Sequence, residues 1–175
     1  MKNNFKKFFI FSFVIFFLSI FTLALKKDNN YSTKNLIGNQ ISSFQLPSLR
    51  NSSFITDKEL KQNQFTLINF FASWCAPCRI EHKYLVRLND QNKNIKILGV
   101  NFKDKKNNAL NFLNDLGDPY SFVAKDPDGK ASILFGIYGI PESIIINKEL
   151  EIIKKIVGPI DQKDYEEILR LIKWC

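Results

Sequence analysis

The sequence runs to 175 residues, 45% of them hydrophobic, and carries a net charge of +8. One domain with a packed core and a short appendage fits that length, so a disulfide scaffold is unnecessary, and three cysteines are too few to build one. Lysines are spread along the whole chain and form no cluster interleaved with aromatics, which argues against a nucleic-acid partner.

Residues 8–25 form an apolar run without a charge, in which Ser12, Ser19 and Thr22 are the only polar side chains. At about 1.5 Å per residue, a helix of this length just reaches across a bilayer core of about 30 Å. Lys2, Lys6 and Lys7 precede the run; Lys26 and Lys27 follow it. The positive-inside rule then places the N-terminus in the cytoplasm by a small margin and everything after the run outside. The competing reading is a cleaved signal peptide. The run is longer than a typical signal core, and Thr22-Leu23-Ala24 makes a poor cleavage site, so an uncleaved anchor is favoured. The expected organisation is a cytoplasmic tip and membrane anchor over 1–27, a polar linker over 28–36 and one folded domain over 37–175.

Within the domain, residues 41–46 read as a short extended segment ended by Pro47. Thr56-Asp57-Lys58-Glu59 is a capping-box pattern that opens a short helix. Residues 65–71 are almost wholly apolar and read as a buried central strand. A helix follows over about 76–89, its apolar positions Ile80, Tyr84, Leu85 and Leu88 at helical spacing. Residues 95–100 give a second buried strand. Residues 108–116 give an amphipathic helix through Leu110, Leu113 and Leu116, ended by Gly117. A short extended piece at 121–124 leads to the Asp126-Pro127-Asp128-Gly129 turn and one or two helical turns at 132–135. Strands at 143–146 and 151–156 are joined by a polar turn, and Asp161 caps a last amphipathic helix bearing Tyr165, Ile168, Leu169 and Ile172. The pattern is a βαβ unit with a parallel pair, then a hairpin and a helix: one sheet with helices on both faces.

Chemistry concentrates at Cys75-Ala76-Pro77-Cys78, where the central strand hands over to a helix. At a helix N-terminus, free N–H groups and the helix dipole favour a thiolate, the attacking species in disulfide exchange. Cys78, one turn on, can close a disulfide and release a bound partner. Pro77 suits the first turn because its missing N–H would be unpaired there. A zinc site would need a second ligand pair, and only His82 and Cys175 remain. A purely structural disulfide would close too short a loop to stabilise much. Gly139-Ile140-Pro141-Glu142 precedes a strand, and a cis bond at Pro141 would expose backbone for strand-like pairing with a peptide. Trp74, beside the first cysteine, reads as docking surface. Glu81 shares a helix face with Cys78, where a carboxylate would oppose a thiolate; the competing reading is an ordinary solvated residue. His82 reads as a surface residue and Cys175 as an exposed terminal thiol.

Four stretches together resemble the thioredoxin superfamily and, more narrowly, the DsbE/CcmG thiol:disulfide interchange proteins of cytochrome c biogenesis. They are residues 69–82 (NFFASWCAPCRIEH), 99–104 (GVNFKD), 116–120 (LGDPY) and 136–142 (GIYGIPE). The resemblance covers about 37–174. It implies an α/β thioredoxin fold, a central mixed β-sheet flanked by helices, preceded here by one N-terminal transmembrane helix. It also implies that Cys75 attacks and Cys78 resolves. Pro141 is then a cis-proline facing the pair, Trp74 and Glu142 join it in partner binding, Glu81 and Glu142 form the acidic feature that marks this family, and Glu81 tunes the thiols.

The implied role is a dithiol reductant on the periplasmic side of a bacterial inner membrane, keeping the Cys-x-x-Cys-His haem-attachment cysteines of apocytochrome c reduced, directly or through a maturation thiol protein. An upstream transmembrane thiol–disulfide carrier would supply electrons, with no cofactor beyond the Cys75–Cys78 disulfide and no metal. The alternatives are a general exported reductase or oxidase on the same fold and a non-catalytic thioredoxin-like binding module.

Overall fold

The computed structural model describes residues 2–25 and 36–173, with side chains over 6–22 and 36–173. The N-terminal unit is helix α1 (Lys2–Leu25), on which Phe8 to Phe13, Phe16, Phe17 and Phe21 are exposed. Among the described residues, no helix is long and apolar enough to cross a membrane. The linker up to position 35, the flanking Lys26 and Lys27, and Cys175 lie outside the described residues. Leu36, assigned to the linker on sequence, packs against the domain core.

The domain is built on a five-stranded sheet of order β5-β4-β3-β6-β7. Strand β3 (Phe65–Phe71) is central and buried at every position, with β4 (Ile95–Phe102) parallel to it on one side and β6 (Glu142–Asn147) antiparallel on the other. Parallel β5 (Phe122–Asp126) and antiparallel β7 (Ile152–Val157) form the edges. Because side chains alternate across a strand, β3 serves two cores. Phe65, Leu67 and Phe71 pack under α3 (Ala76–Gln91), α4 (Lys106–Leu116) and α6 (Gln162–Lys173). Ile68 and Phe70 pack against the segment 36–55, α2 (Asp57–Leu60) and α5 (Lys130–Leu134).

Several expectations shift. Pro47 is the last residue of β1 (Gln45–Pro47), so the first extended segment ends there as expected, but it pairs with β2 (Phe54–Thr56), a strand too short for its alternation to be legible. A proline is tolerated there because the pair stands outside the main sheet. The expected capping box opens α2, with Glu59 accepting from both the backbone N–H and the hydroxyl of Thr56. The buried face of α4 runs through Ala109, Phe112 and Leu113, leaving Leu116 exposed. On α3, Ile80 faces solvent, and the buried face is Cys78, Glu81, His82, Leu85 and Leu88. Two polar residues on a buried helix face require partners inside the protein.

Candidate active site

Strand β3 ends at Phe71, and the chain turns through Ala72-Ser73-Trp74 into α3, with Cys75 as its N-cap residue and Pro77 in the first turn. Asp104 fixes this turn. Its carboxylate accepts from the Ser73 N–H (2.7 Å), the Ser73 hydroxyl (3.0 Å), the Asn101 amide (3.1 Å) and the Lys105 N–H (2.8 Å). The Trp74 indole N–H donates to the Lys103 carbonyl at 3.2 Å, while the residue stays 59% exposed.

Cys75 and Cys78 form a disulfide. The Cys78 N–H donates to the Cys75 sulfur at 3.2 Å, which in the reduced protein favours negative charge on that atom. Both cysteines are buried, Cys75 at 4% exposure and Cys78 at 1%.

Phe70 of β3 pairs with Glu142 of β6, so the next step of the register sets Phe71 beside Pro141, and the cysteine loop and Pro141 leave the sheet at the same end. The Ile140–Pro141 bond is cis. Ile140 packs against the core cluster that includes both cysteines.

Beneath the cysteines lies a buried polar row. Gly99, Asn69 and Ser143 are paired neighbours on β4, β3 and β6 and share the sheet face under α3. The Asn69 amide donates to Glu81 Oε1 (2.8 Å) and to the Ser143 hydroxyl (3.0 Å), and its carbonyl accepts from the Tyr120 hydroxyl (2.7 Å). The other Glu81 oxygen accepts from the Ile160 N–H at 2.8 Å. Burial pushes the Glu81 carboxyl up to about 7, against the pull of the Ile160 and Asn69 donors. Burial likewise raises Tyr120 well above the usual phenol range, so it stays a protonated donor.

Glycine at position 99 makes this row possible: a Cβ there would meet the Tyr120 ring at 2.9 Å. Gly99→Ala is expected to destabilise the fold by about 1–3 kcal/mol through this overpacking. Urea unfolding measures it; an unchanged midpoint would show that the ring has room to retreat.

The structure corrects three readings. Glu81 is not a solvated helix residue. It sits one turn past Cys78 on the buried face, held by two N–H donors. His82 is not at the surface. Its Nε2–H donates to the Gly117 carbonyl (2.8 Å) and its ring meets Phe112 edge-on, while burial lowers its pKa and keeps it neutral. Glu142 forms no joint acidic feature with Glu81 and no docking surface. Alternation along β6 puts Ser143 on the face of Glu81 and Glu142 on the opposite face, where it is buried. Its Oε1 accepts from the N–H groups of Tyr138 (3.1 Å) and Gly139 (3.0 Å). Its Oε2 lies 2.8 Å from Lys155 Nζ, a charge contact rather than an aligned hydrogen bond.

Sequence reasoning gave no role to Asn69, Tyr120, Ser143, Asp104 or Lys155. Asn69 carried a signal, being the lone amide in a strand whose other residues, Thr66 apart, are apolar.

Residues 36–169 match the Redoxin family. The chain is 47% identical over 105 residues to the thiol:disulfide interchange protein CycY of Rhizobium leguminosarum bv. viciae, covering 60% of this chain and 55% of that protein. It is 36% identical to DsbE of Allochromatium vinosum over 149 residues, 85% of this chain and 82% of that one. A crystal structure assigned as DsbE from Chlorobium tepidum superposes with a TM-score of 0.68 at 26% identity, covering 78% of this chain and 95% of that one. The fold and the paired cysteines at a strand-to-helix junction thus define a thioredoxin-fold thiol:disulfide oxidoreductase. Within that class, the chain belongs to the DsbE-type thiol:disulfide interchange proteins.

Proposed function

We propose that the chain is a membrane-anchored dithiol reductant of cytochrome c maturation. The observation that carries the exchange chemistry is the placement of Cys75 as the N-cap of α3, with its sulfur accepting from the Cys78 N–H. In the reduced form, Cys75 thiolate attacks one sulfur of a substrate disulfide. A Cys75–substrate disulfide forms and the other substrate sulfur leaves as thiolate. Cys78 then attacks the Cys75 sulfur, closing Cys75–Cys78 and releasing the second substrate thiol. Two electrons and two protons pass to the substrate. Glu81, one turn from Cys78 and poised near neutrality, takes the Cys78 proton as that thiol becomes nucleophilic.

Exposed Trp74 and the segment leading into Pro141 receive the substrate, which pairs with backbone beside Pro141. The DsbE relationship supports apocytochrome c, or a thiol protein serving it, as that substrate, with an upstream transmembrane thiol–disulfide carrier restoring the dithiol. The exposed apolar side chains all round α1 and the charge-free run through residue 25 support an anchor in a bacterial inner membrane, with the domain in the periplasm.

The test is the reduction potential together with the rate on a disulfide peptide containing Cys-x-x-Cys-His. A potential near about −270 mV with fast peptide reduction supports the reading, and one near about −120 mV, that of a strong oxidant, overturns it.

A further inference from the structure

Strand β7 carries consecutive lysines that point to opposite faces. Lys154 pairs with Glu167 of α6 at 2.7 Å. Lys155 turns the other way, its side chain 1% exposed. A buried ammonium must find charge and acceptors within the protein, and the partners of this one lie on either side of Pro141. Nζ donates to the Gly136 carbonyl at 2.7 Å, lies 2.8 Å from Glu142 Oε2 and sits 5.3 Å from the Tyr138 ring centroid. Glu142 in turn receives the N–H groups of Tyr138 and Gly139. One buried ion pair therefore clasps the chain at 136, 138 and 139 and ties it to an edge strand. The start of the segment is also held by α5, where the N–H groups of Gly136 and Ile137 bond back to the carbonyls of Ile133 and Ser132 and Ile137 is buried; beyond it Tyr138 is 76% exposed, and a Cβ on Gly139 would meet nothing.

We infer that Lys155 is a positioning residue for peptide substrates, holding the segment 136–140 through Glu142 so that the backbone beside Pro141 stands ready for an extended chain. This rests on the reading above of that segment as the peptide platform. Lys155 touches neither sulfur, so its effect falls on substrates that use the backbone. A small disulfide, which needs only the Cys75 sulfur, is affected far less.

The test compares reduction of a Cys-x-x-Cys-His peptide disulfide with reduction of hydroxyethyl disulfide by the full chain. Lys155→Met is expected to raise KM for the peptide about tenfold or more with a smaller change in kcat, the mark of lost positioning rather than lost chemistry. The peptide-to-small-disulfide rate ratio falls correspondingly. Lys155→Arg should recover most of it, since a guanidinium can reach the same carboxylate and carbonyl. Because Lys155→Met leaves Glu142 buried without its counter-charge, Lys155→Met/Glu142→Gln serves as a second variant with no unpaired charge, and the same loss of ratio is expected. An unchanged ratio in that double variant, or equal losses on both substrates that Arg does not rescue, overturns the proposal. If the wild type reduces the peptide no faster than the small disulfide, the platform reading itself fails, and that outcome is visible before any variant is made.

Discussion

Reduced protein carrying Cys78→Ser is expected to stall after one transfer, holding its substrate on Cys75 as a stable mixed disulfide, whereas Cys75→Ser forms no adduct and falls to the uncatalysed rate. The asymmetry follows from the helix end. Cys75 is the N-cap residue and its sulfur accepts the Cys78 N–H, whereas Cys78 lies one turn inside on the buried face. A serine hydroxyl neither ionises near neutral pH nor attacks sulfur usefully, so the missing cysteine sets the step at which the cycle stops. Intact-mass measurement after mixing with a peptide disulfide distinguishes the two variants. An adduct on Cys75→Ser, or full turnover by Cys78→Ser, would reverse or remove the order of attack.

The parts of this site legible in the sequence are those written in contiguous residues. Cys75, Cys78 and Pro77 announce a strand-to-helix junction because an apolar run stops four residues before Cys75, and the turn chemistry at 126–129 is equally local. The polar row was illegible for the opposite reason. Asn69, Gly99, Tyr120 and Ser143 are far apart in the chain and become neighbours only through the register of three strands.

Helix α3 shows how hydropathy alone misplaces a face. The spacing of Ile80, Tyr84, Leu85 and Leu88 puts Ile80 inside and leaves a solvated Glu81 open, yet the donors that make a buried Glu81 tolerable come from Asn69 and Ile160. Nothing on the helix itself records them. Glu142 was the nearer miss. The parity of Ser143 and Ile145 against Glu142 and Ile144 separates the two faces once β6 is known to be a strand, and so separates Glu142 from Glu81.

Glu81→Gln is expected to strengthen the fold at alkaline pH while weakening exchange. The Glu81 carboxyl titrates at about 7 in the folded protein against an ordinary value of 4.5. Between those values the native state holds a proton that the unfolded chain has released, so stability is complete below about pH 4.5 and falls as pH rises through 7. The interval corresponds to about 3 kcal/mol for a group this deeply buried. Glutamine does not titrate, so the variant gains on the wild type by about that amount between pH 4.5 and 8, even though one of its amide hydrogens must face a donor in place of a carboxylate oxygen. Urea unfolding at several pH values reads the slope directly, and parallel slopes in the two proteins would remove Glu81 as the source. Exchange moves the other way: without a base beside Cys78, the resolving step near pH 7 slows by about 10²-fold, the lower range for a positioned proton acceptor. A firmer fold with a slower resolving step separates this group from one kept for packing, since a packing residue would lose both together.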